Sequence, residues 1–154
     1  MKILTYKTSE LEAHQLGVLK NQLVYNINHF FGDIVLIELI QIEEYQKKIN
    51  DLTSKSSCLT HNINDITILP TIPHPKSFRD AYAFREHVIT ARKNRGLDII
   101  TEYDQFPVFY FSNHNAMFGD GQEIKLMPDH FHKLDYELEF AIVIGKGGKN
   151  ILSS

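Results

Sequence analysis

The apolar and polar positions of the first 70 residues predict a strand, a hairpin and a helix, in that order. Residues 1–7 predict a short strand whose alternate side chains face opposite sides. Residues 16–25 predict a hairpin that turns at Asn21, because asparagine tolerates a positive φ. A helix is predicted from about Gly32 to Leu52, where apolar residues recur at three- and four-residue steps. The recurring positions, which we expect in the core, are Leu39, Ile42, Tyr45, Ile49 and Leu52.

Polar and proline-rich segments divide the chain after this helix. Residues 53–66 are polar and predict a loop or linker, and a short apolar segment follows at 66–69. Three prolines then force the backbone into an extended crossing, which predicts a domain boundary. They are Pro70, Pro73 and Pro75. We therefore expect a small N-terminal α/β domain at residues 1–70 and a second domain at 71–154.

The second domain is predicted to begin with a helix and to continue with strands. Ser77 can cap a helix that runs from Phe78 to about Lys93 and ends near Gly96. Aromatic residues and valine predict a strand at 106–111. Residues 123–127 predict a second short strand.

An acidic strand at 134–140, which runs into the apolar residues 141–144, is the most informative segment. Alternation places three carboxylates on one face, and the apolar run predicts burial on both faces. The carboxylates are those of Asp135, Glu137 and Glu139. Neighbouring carboxylates repel and burial makes ionisation costlier, so a divalent cation with oxygen ligands would remove both penalties. A solvated acidic strand end is the alternative.

Asp80 and His87, which lie seven residues apart, give a second chemical signal. On the predicted helix this spacing places both side chains on one face, about 10 Å apart along the axis. One ion could not easily be bound by both, so we expect the carboxylate to anchor an ion and the imidazole to reach a substrate or water. The alternatives are a helix-start carboxylate and an ordinary hydrogen-bonded histidine.

Composition limits the class of protein. The chain has 154 residues, of which 43% are hydrophobic, enough for one good core or for a small domain and part of another. Its net charge of −3 predicts no nucleic-acid surface, and we expect the basic run 92–95 at a solvated helix end. The single cysteine, Cys58, fits a reducing compartment. No signal pattern and no apolar run of the roughly 18 residues that span a membrane occur, so we expect a cytoplasmic protein without membrane contact.

Three motifs in order make the segment from Pro73 to about Lys149 resemble the fumarylacetoacetate hydrolase family. They are Asp80-x-Tyr82 followed by His87, Phe106-Pro107-Val108-Phe109-Tyr110, and Leu134-Asp135-Tyr136-Glu137-Leu138-Glu139. The resemblance implies an α+β fold, in which the small N-terminal domain is followed by the first part of a mostly β catalytic domain. Because that domain continues far beyond the Glu-x-Glu strand in the family, we expect a truncated chain that is inactive or weakly active.

The resemblance also implies roles for individual residues. The implied ligands of Mg²⁺ or Ca²⁺ are Asp80, Glu137 and Glu139. His87 is implied as the general base that activates water. The side chains implied to contact the substrate or its carboxylate are Tyr82, Tyr110, Arg92 and Arg95. Three other residues are expected to have structural roles or to form hydrogen bonds in a loop, namely Asp135, His130 and His132.

The implied reaction is metal-dependent hydrolysis of a C–C bond in a β-diketone acid such as fumarylacetoacetate. It would belong to the breakdown of tyrosine or of other aromatic compounds, and the family suggests a homodimer. Water activated by His87 attacks a carbonyl carbon, and the leaving carbanion is an enolate. Acylpyruvate hydrolysis, oxaloacetate decarboxylation and isomerisation stay open within the family. A non-catalytic fragment that only associates with a partner also stays open.

Overall fold

The chain divides into two units in the computed structural model, which describes residues 1–125 and 136–152. One unit comprises Met1–Pro73 and the described residues from Phe118 onward, and the other comprises His74–Met117. Strands and short helices occur together and the strand pairs are antiparallel, so the fold class is α+β. The longest helix in the described ranges has 10 residues, and no helix there is long and apolar enough to cross a membrane.

An antiparallel sheet of five strands forms the first unit, in the order β4-β3-β2-β1-β5. The strands are β1 (Lys2–Lys7), β2 (Gln15–Lys20), β3 (Leu23–Asn26), β4 (Thr60–Asn62) and β5 (Thr67–Leu69). The predicted first strand and hairpin are confirmed. The hairpin turns at Asn21 and Gln22, whose φ angles of 47° and 69° match the positive values that a tight two-residue turn requires.

Both faces of this sheet bury side chains. On one face lies a cluster of Leu16, Val18, Ile27, Leu36, Leu39 and Ile49. The other face holds Leu4, Tyr6 and Val24. Alternate residues of a strand point to opposite faces, which explains why Leu4 and Tyr6 separate from Leu16 and Val18. Gly17 makes room on the second face, because a Cβ there would lie 2.5 Å from Val24 Cγ1 and 2.9 Å from Tyr6 Cε1.

The single helix predicted from Gly32 to Leu52 is wrong. Two short helices, α2 (Leu36–Leu39) and α3 (Tyr45–Thr53), are found there instead, and another short helix, α1 (Asn28–Phe31), precedes them. Glu44 adopts φ 53° and ψ 29°, and an α-helix cannot continue through a left-handed residue. The predicted stripe still reaches one core cluster at four of its five positions. These are Leu39, Ile42, Tyr45 and Ile49.

The polar stretch 53–66, which was predicted to be a loop, contains β4. This strand pairs with β3, with Thr60 opposite Tyr25 and His61 opposite Val24. The sequence Thr60–Asn62 has no apolar alternation because β4 lies at the edge of the sheet, where only one neighbour pairs with it. Backbone pairing with β3 therefore outweighed the polar composition.

The predicted helix of the second unit begins later than expected. Residues 79–81 form β6 (Arg79–Ala81), and α4 (Arg85–Asn94) starts after it. The backbone before α4 pairs with another strand, β7 (Phe109–Phe111), and is therefore not available for helical hydrogen bonds. Ser77 does not cap the helix, and its Oγ accepts a hydrogen bond from the Arg79 guanidinium at 3.1 Å. Asp80 and His87 consequently do not share a helix face.

The predicted end of this helix is confirmed. Gly96 has φ 69° and donates its N–H to the Lys93 carbonyl at 2.9 Å, which is typical of a glycine that terminates a helix. Arg92 and Lys93 lie in the last turn of α4, where positive charge interacts favourably with the helix dipole. The strand predicted at 106–111 is shortened to β7, because Pro107 has no N–H to donate to a neighbouring strand.

The described part of the predicted acidic strand and apolar run is neither a strand nor buried. Residues 136–144 carry no strand assignment, and Tyr136, Phe140 and Ile142 are 90%, 93% and 85% exposed. A strand requires a neighbour to pair its backbone groups, and none of the strands in the described ranges pairs with this segment. Residues 123–125 are not a strand either. Residues 126–127 and 134–135 lie outside the described residues.

Candidate functional site

Four of the predicted site residues come together in the second unit around the pair of strands β6 and β7. Asp80 of β6 lies directly opposite Tyr110 of β7. Beyond the strand end, the Tyr82 N–H donates to the Val108 carbonyl at 3.0 Å, which extends the pairing by one residue. Because alternate residues share a face, Asp80, Tyr82 and Tyr110 lie on one side of this ribbon.

The opposite face of the ribbon is aromatic. The Arg79 guanidinium lies 4.9 Å from the centre of the Phe111 ring and 5.5 Å from that of Phe109. Such distances are typical of cation–π contacts. The ribbon therefore separates a polar face with Asp80 and two phenols from a face built by one arginine and two phenylalanines.

Tyr82 is at the centre of the cluster. Its ring meets the Tyr110 ring at 5.9 Å with an angle of 90° between the planes, and the His87 ring at 6.4 Å with an angle of 68°. The perpendicular packing of Tyr82 on Tyr110 is a favourable arrangement of aromatic rings. His87 lies in the first turn of α4, so the short connection 82–84 brings the imidazole back beside the ribbon.

The neighbouring groups change the pKa of the Tyr110 phenol. Its pKa is raised above the ordinary value of 10.0, first by a hydrogen bond with the Tyr82 phenol and second by the charge of that phenol. The Asp80 carboxylate raises the Tyr110 pKa further, and the Arg95 guanidinium lowers it. Arg95 therefore lies within electrostatic reach of the Tyr110 phenol. The Tyr110 phenol remains protonated at neutral pH and can act as a hydrogen-bond donor.

Arg92, the other predicted carboxylate-binding arginine, takes part in the end of α4. Its Nε–H donates to the Asp98 carbonyl, while the Leu97 N–H donates to the Arg92 carbonyl at 3.0 Å. These bonds close the helix end. A role for Arg92 in substrate binding stays a prediction.

The cluster is accessible to solvent. His87 and Tyr110 are exposed, and Asp80 and Tyr82 are half-buried. A small polar molecule can therefore approach the phenols, the carboxylate and the imidazole.

The two other predicted metal ligands belong to the first unit. Glu137 and Glu139 are exposed residues of the segment 136–144. No group of three or more His, Cys, Asp or Glu side chains that could hold a metal ion occurs in residues 1–125 and 136–152. The ligand set of Asp80, Glu137 and Glu139 therefore stays a prediction. His130, His132 and Asp135 lie outside the described residues.

A comparison with protein families decides what kind of chain this is. The family model for the C-terminal domain of fumarylacetoacetate (FAA) hydrolase matches residues 76–154. The chain belongs to the fumarylacetoacetate hydrolase family. This confirms the resemblance that the three sequence motifs indicate.

The chain is also similar in sequence to a curated protein, the oxaloacetate tautomerase YisK of Bacillus subtilis (strain 168). The two sequences are 24% identical over 155 residues, which cover 97% of this chain and 47% of the relative. The chain thus spans about half the length of the fumarylacetoacetate hydrolase family protein that it matches.

The sequence motifs did not indicate one residue that contacts the cluster, Tyr103. The phenolic oxygen of Tyr103 donates a hydrogen bond to the Tyr82 carbonyl at 3.0 Å. Tyr103 lies in a 3₁₀ helix, Thr101–Asp104, and belongs to none of the three motifs that indicated the fumarylacetoacetate hydrolase family. No local pattern connects it with Tyr82, which precedes it by 21 residues.

Proposed function

We propose that the protein acts on a β-keto acid or β-diketone acid whose reaction passes through an enolate. The observation that supports this proposal is the cluster in which Tyr82 lies between Tyr110 and His87, with Asp80 opposite Tyr110. Phenols donate hydrogen bonds to oxyanions, and an imidazole exchanges protons near neutral pH. The family membership of the chain supports the same chemistry.

The residues of the chain fit a divalent cation by the chemistry of their donor groups. Asp80, Glu137 and Glu139 offer carboxylate oxygens, which are the ligands that Mg²⁺ and Ca²⁺ prefer. A cation held by these carboxylates would stabilise negative charge on the oxygens of the substrate. We further propose that residues 71–154 are the first part of a mostly β catalytic domain, which would bring the three carboxylates together.

Hydrolysis of a C–C bond is the first reaction that we assign to the cluster. His87 takes a proton from water, and the resulting hydroxide attacks a carbonyl carbon of the diketone acid. The C–C bond beside that carbonyl then breaks, and the enolate that leaves takes up the proton from His87, which gives a carboxylic acid and a ketone. Tyr82 and Tyr110 donate hydrogen bonds to the substrate oxygens, for which the raised pKa of Tyr110 keeps its proton in place. The positive charge of Arg95 favours a substrate carboxylate beside the phenols.

Tautomerisation of a keto diacid is the second candidate, because the matched relative is an oxaloacetate tautomerase. In that reaction His87 would take the proton from the carbon beside the ketone, the ketone oxygen would gain a proton from solvent, and the same phenols would hold that oxygen. Both reactions need an imidazole beside two hydrogen-bond donors. They differ in whether a C–C bond breaks.

Two assays with the full chain and Mg²⁺ test these assignments. Cleavage of fumarylpyruvate is followed for hydrolysis, and the ultraviolet absorbance of enol oxaloacetate is followed for tautomerisation. His87→Asn is expected to lower whichever activity is found by about 10²- to 10⁴-fold, as is typical of a lost general base. His14→Asn, in the other unit, is the control. Equal rates for His87→Asn and the unchanged protein would contradict the proposal.

The metal ligands are tested by titration with Mg²⁺ and Ca²⁺. Asp80→Asn, Glu137→Gln and Glu139→Gln are each expected to weaken binding by roughly tenfold or more, since affinity follows the number of charged ligands. Asp98→Asn, which changes an exposed carboxylate on the same unit as Asp80, is the control. Size-exclusion chromatography tests the proposed homodimer. A monodisperse oligomer that binds Mg²⁺ only weakly and turns over neither substrate would favour a non-catalytic associating role.

A further inference from the structure

We propose that Tyr103 is a positioning residue, which fixes the backbone of Tyr82 and thereby the relative placement of Tyr82 and His87. This inference rests on the proposed function of the cluster. The Tyr103 hydroxyl donates to the Tyr82 carbonyl at 3.0 Å, and both residues are half-buried. Tyr103 does not belong to the ring cluster itself and acts through Tyr82.

The backbone of Tyr82 is held from two directions. Its N–H donates to the Val108 carbonyl at 3.0 Å, which is the last bond between the two sides of the ribbon. Its carbonyl accepts from the Tyr103 hydroxyl. The first bond anchors the peptide plane that precedes Tyr82, and the second anchors the plane that follows it. That plane is where the chain leaves the strand and turns toward α4.

A second contact links the same 3₁₀ helix, Thr101–Asp104, to the start of α4. The guanidinium of Arg85, the first residue of α4, lies 5.6 Å from the centre of the Tyr103 ring and pairs with the Asp104 carboxylate. The side chains of this ion pair are 48% and 61% exposed, so solvent screens their attraction. We therefore assign most of the positioning to the half-buried hydrogen bond of the Tyr103 hydroxyl. The contact with Arg85 only orients the Tyr103 ring.

The consequence for chemistry follows from the small distances in the cluster. The Tyr82 ring meets both Tyr110 and His87, so a displacement of its backbone changes both contacts. A misplacement of about 1 Å can cost an enzyme about 10²-fold in rate. A hydroxyl that touches no substrate can therefore control the reaction through the residue that does.

The sequence offers a selective probe of this hydrogen bond. Tyr82-Ala83 is the only Tyr-Ala pair in the chain. Full-length protein labelled with ¹³C at tyrosine carbonyls and ¹⁵N at alanine amides gives one carbonyl–amide correlation, which reports the Tyr82 carbonyl. Tyr103→Phe removes only the hydroxyl and keeps the ring under Arg85. We expect the Tyr82 carbonyl resonance to move and the contact between the Tyr82 and His87 rings to weaken. Tyr25→Phe, a half-buried tyrosine of the other unit, is expected to change neither.

Turnover distinguishes this inference from the proposed function. With whichever substrate the unchanged protein converts, Tyr103→Phe is expected to lower kcat by about two- to tenfold, as the loss of one net hydrogen bond would. The Mg²⁺ affinity and the thermal midpoint should stay close to those of Tyr25→Phe. An unmoved carbonyl resonance overturns the positioning role, as does a moved resonance with unchanged kcat. A moved resonance in a protein that converts neither substrate supports the placement of Tyr82 and counts against the proposed function alone.

Discussion

Replacement of Gly17 by alanine tests the packing on the Tyr6 face of the sheet. The new Cβ would lie 2.5 Å from Val24 Cγ1, 2.9 Å from Tyr6 Cε1 and 3.3 Å from the Tyr25 carbonyl oxygen. Ordinary contacts of a Cβ begin at 3.4 Å, so the two side chains would have to move by about 0.9 Å and 0.5 Å. Val24 and Tyr6 are both 0% exposed, and neither can turn aside without displacing other core residues.

The expected magnitude follows from these overlaps. Overpacking of a well-packed core costs about 1–3 kcal/mol, and the involvement of two fully buried neighbours places Gly17→Ala near about 2–3 kcal/mol. Alanine also reduces the freedom of the unfolded chain, which offsets about 0.4–1 kcal/mol of the loss. We therefore expect a net loss of about 2 kcal/mol. For a chain of this size the thermal midpoint should fall by about 4–8 °C.

Urea unfolding followed by circular dichroism measures this loss. Gly147→Ala is the matched control, because a Cβ there has nothing within 4 Å and its expected effect is close to zero. Val24→Ala removes the nearest clashing atom and should cost less in the Gly17→Ala protein than in the unchanged one, by about 0.5–3 kcal/mol of coupling. A neutral surface substitution changes the free energy of unfolding by no more than about 0.5 kcal/mol. If the free energies of unfolding of Gly17→Ala and Gly147→Ala differ by less than this, the reasoning is refuted.

Two further predictions concern the same unit. Burial raises the pKa of Tyr6 from 10.0 to about 12, so the folded state holds this proton more tightly than the unfolded state. The free energy of unfolding should therefore fall between pH 10 and 12, by up to about 3 kcal/mol. Unfolding free energies at pH 9 and 12 should therefore fall less in Tyr6→Phe than in the unchanged protein, and equal decreases would exclude this linkage. Lys20 Nζ donates to Thr53 Oγ1 at 2.6 Å, which ties β2 to the end of α3. Lys20→Met should lose about 1–2 kcal/mol in urea unfolding, whereas the exposed Lys7→Met should lose less than about 0.5 kcal/mol; equal losses would show that the bond contributes nothing.

The elements predicted correctly depend on local signals. The hairpin was predicted because Asn21 can adopt a positive φ, and the end of α4 because Gly96 can do the same. In both cases a single residue and its immediate neighbours determine the conformation. The core side chains Leu39 and Ile49 were also predicted, since their spacing remains compatible with one buried face even across a break in the helix.

The elements predicted wrongly depend on partners far along the chain. Residues 79–81 became a strand because Phe109–Phe111 pairs with them, and nothing within the segment itself indicates that partner. The sequence does not indicate the left-handed conformation of Glu44 either, because glutamate has no particular preference for it. The alternation in 136–144 predicts a buried strand only where a neighbouring strand is present to receive it.

The structure brings four of the eight predicted site residues together, in a geometry that the sequence did not indicate, and the roles of all eight stay predictions. Asp80, Tyr82, His87 and Tyr110 were identified through motifs, and these four do come together. The expected geometry, with Asp80 and His87 on one helix, was wrong because cross-strand register places Asp80 opposite Tyr110. Tyr103 could not be found, since its hydrogen bond to Tyr82 follows from tertiary structure alone.

The position of β5 in the sheet implies an order of folding events. The strands β1, β2 and β3 are joined by short connections, whereas Thr67–Leu69 reaches β1 across most of the first 70 residues. Closing a long loop costs more chain entropy than closing a short one, so the three-stranded meander can form before β5 docks. Until that docking occurs, the outer edge of β1 remains an open template, and the newly made chain is then most susceptible to intermolecular strand pairing.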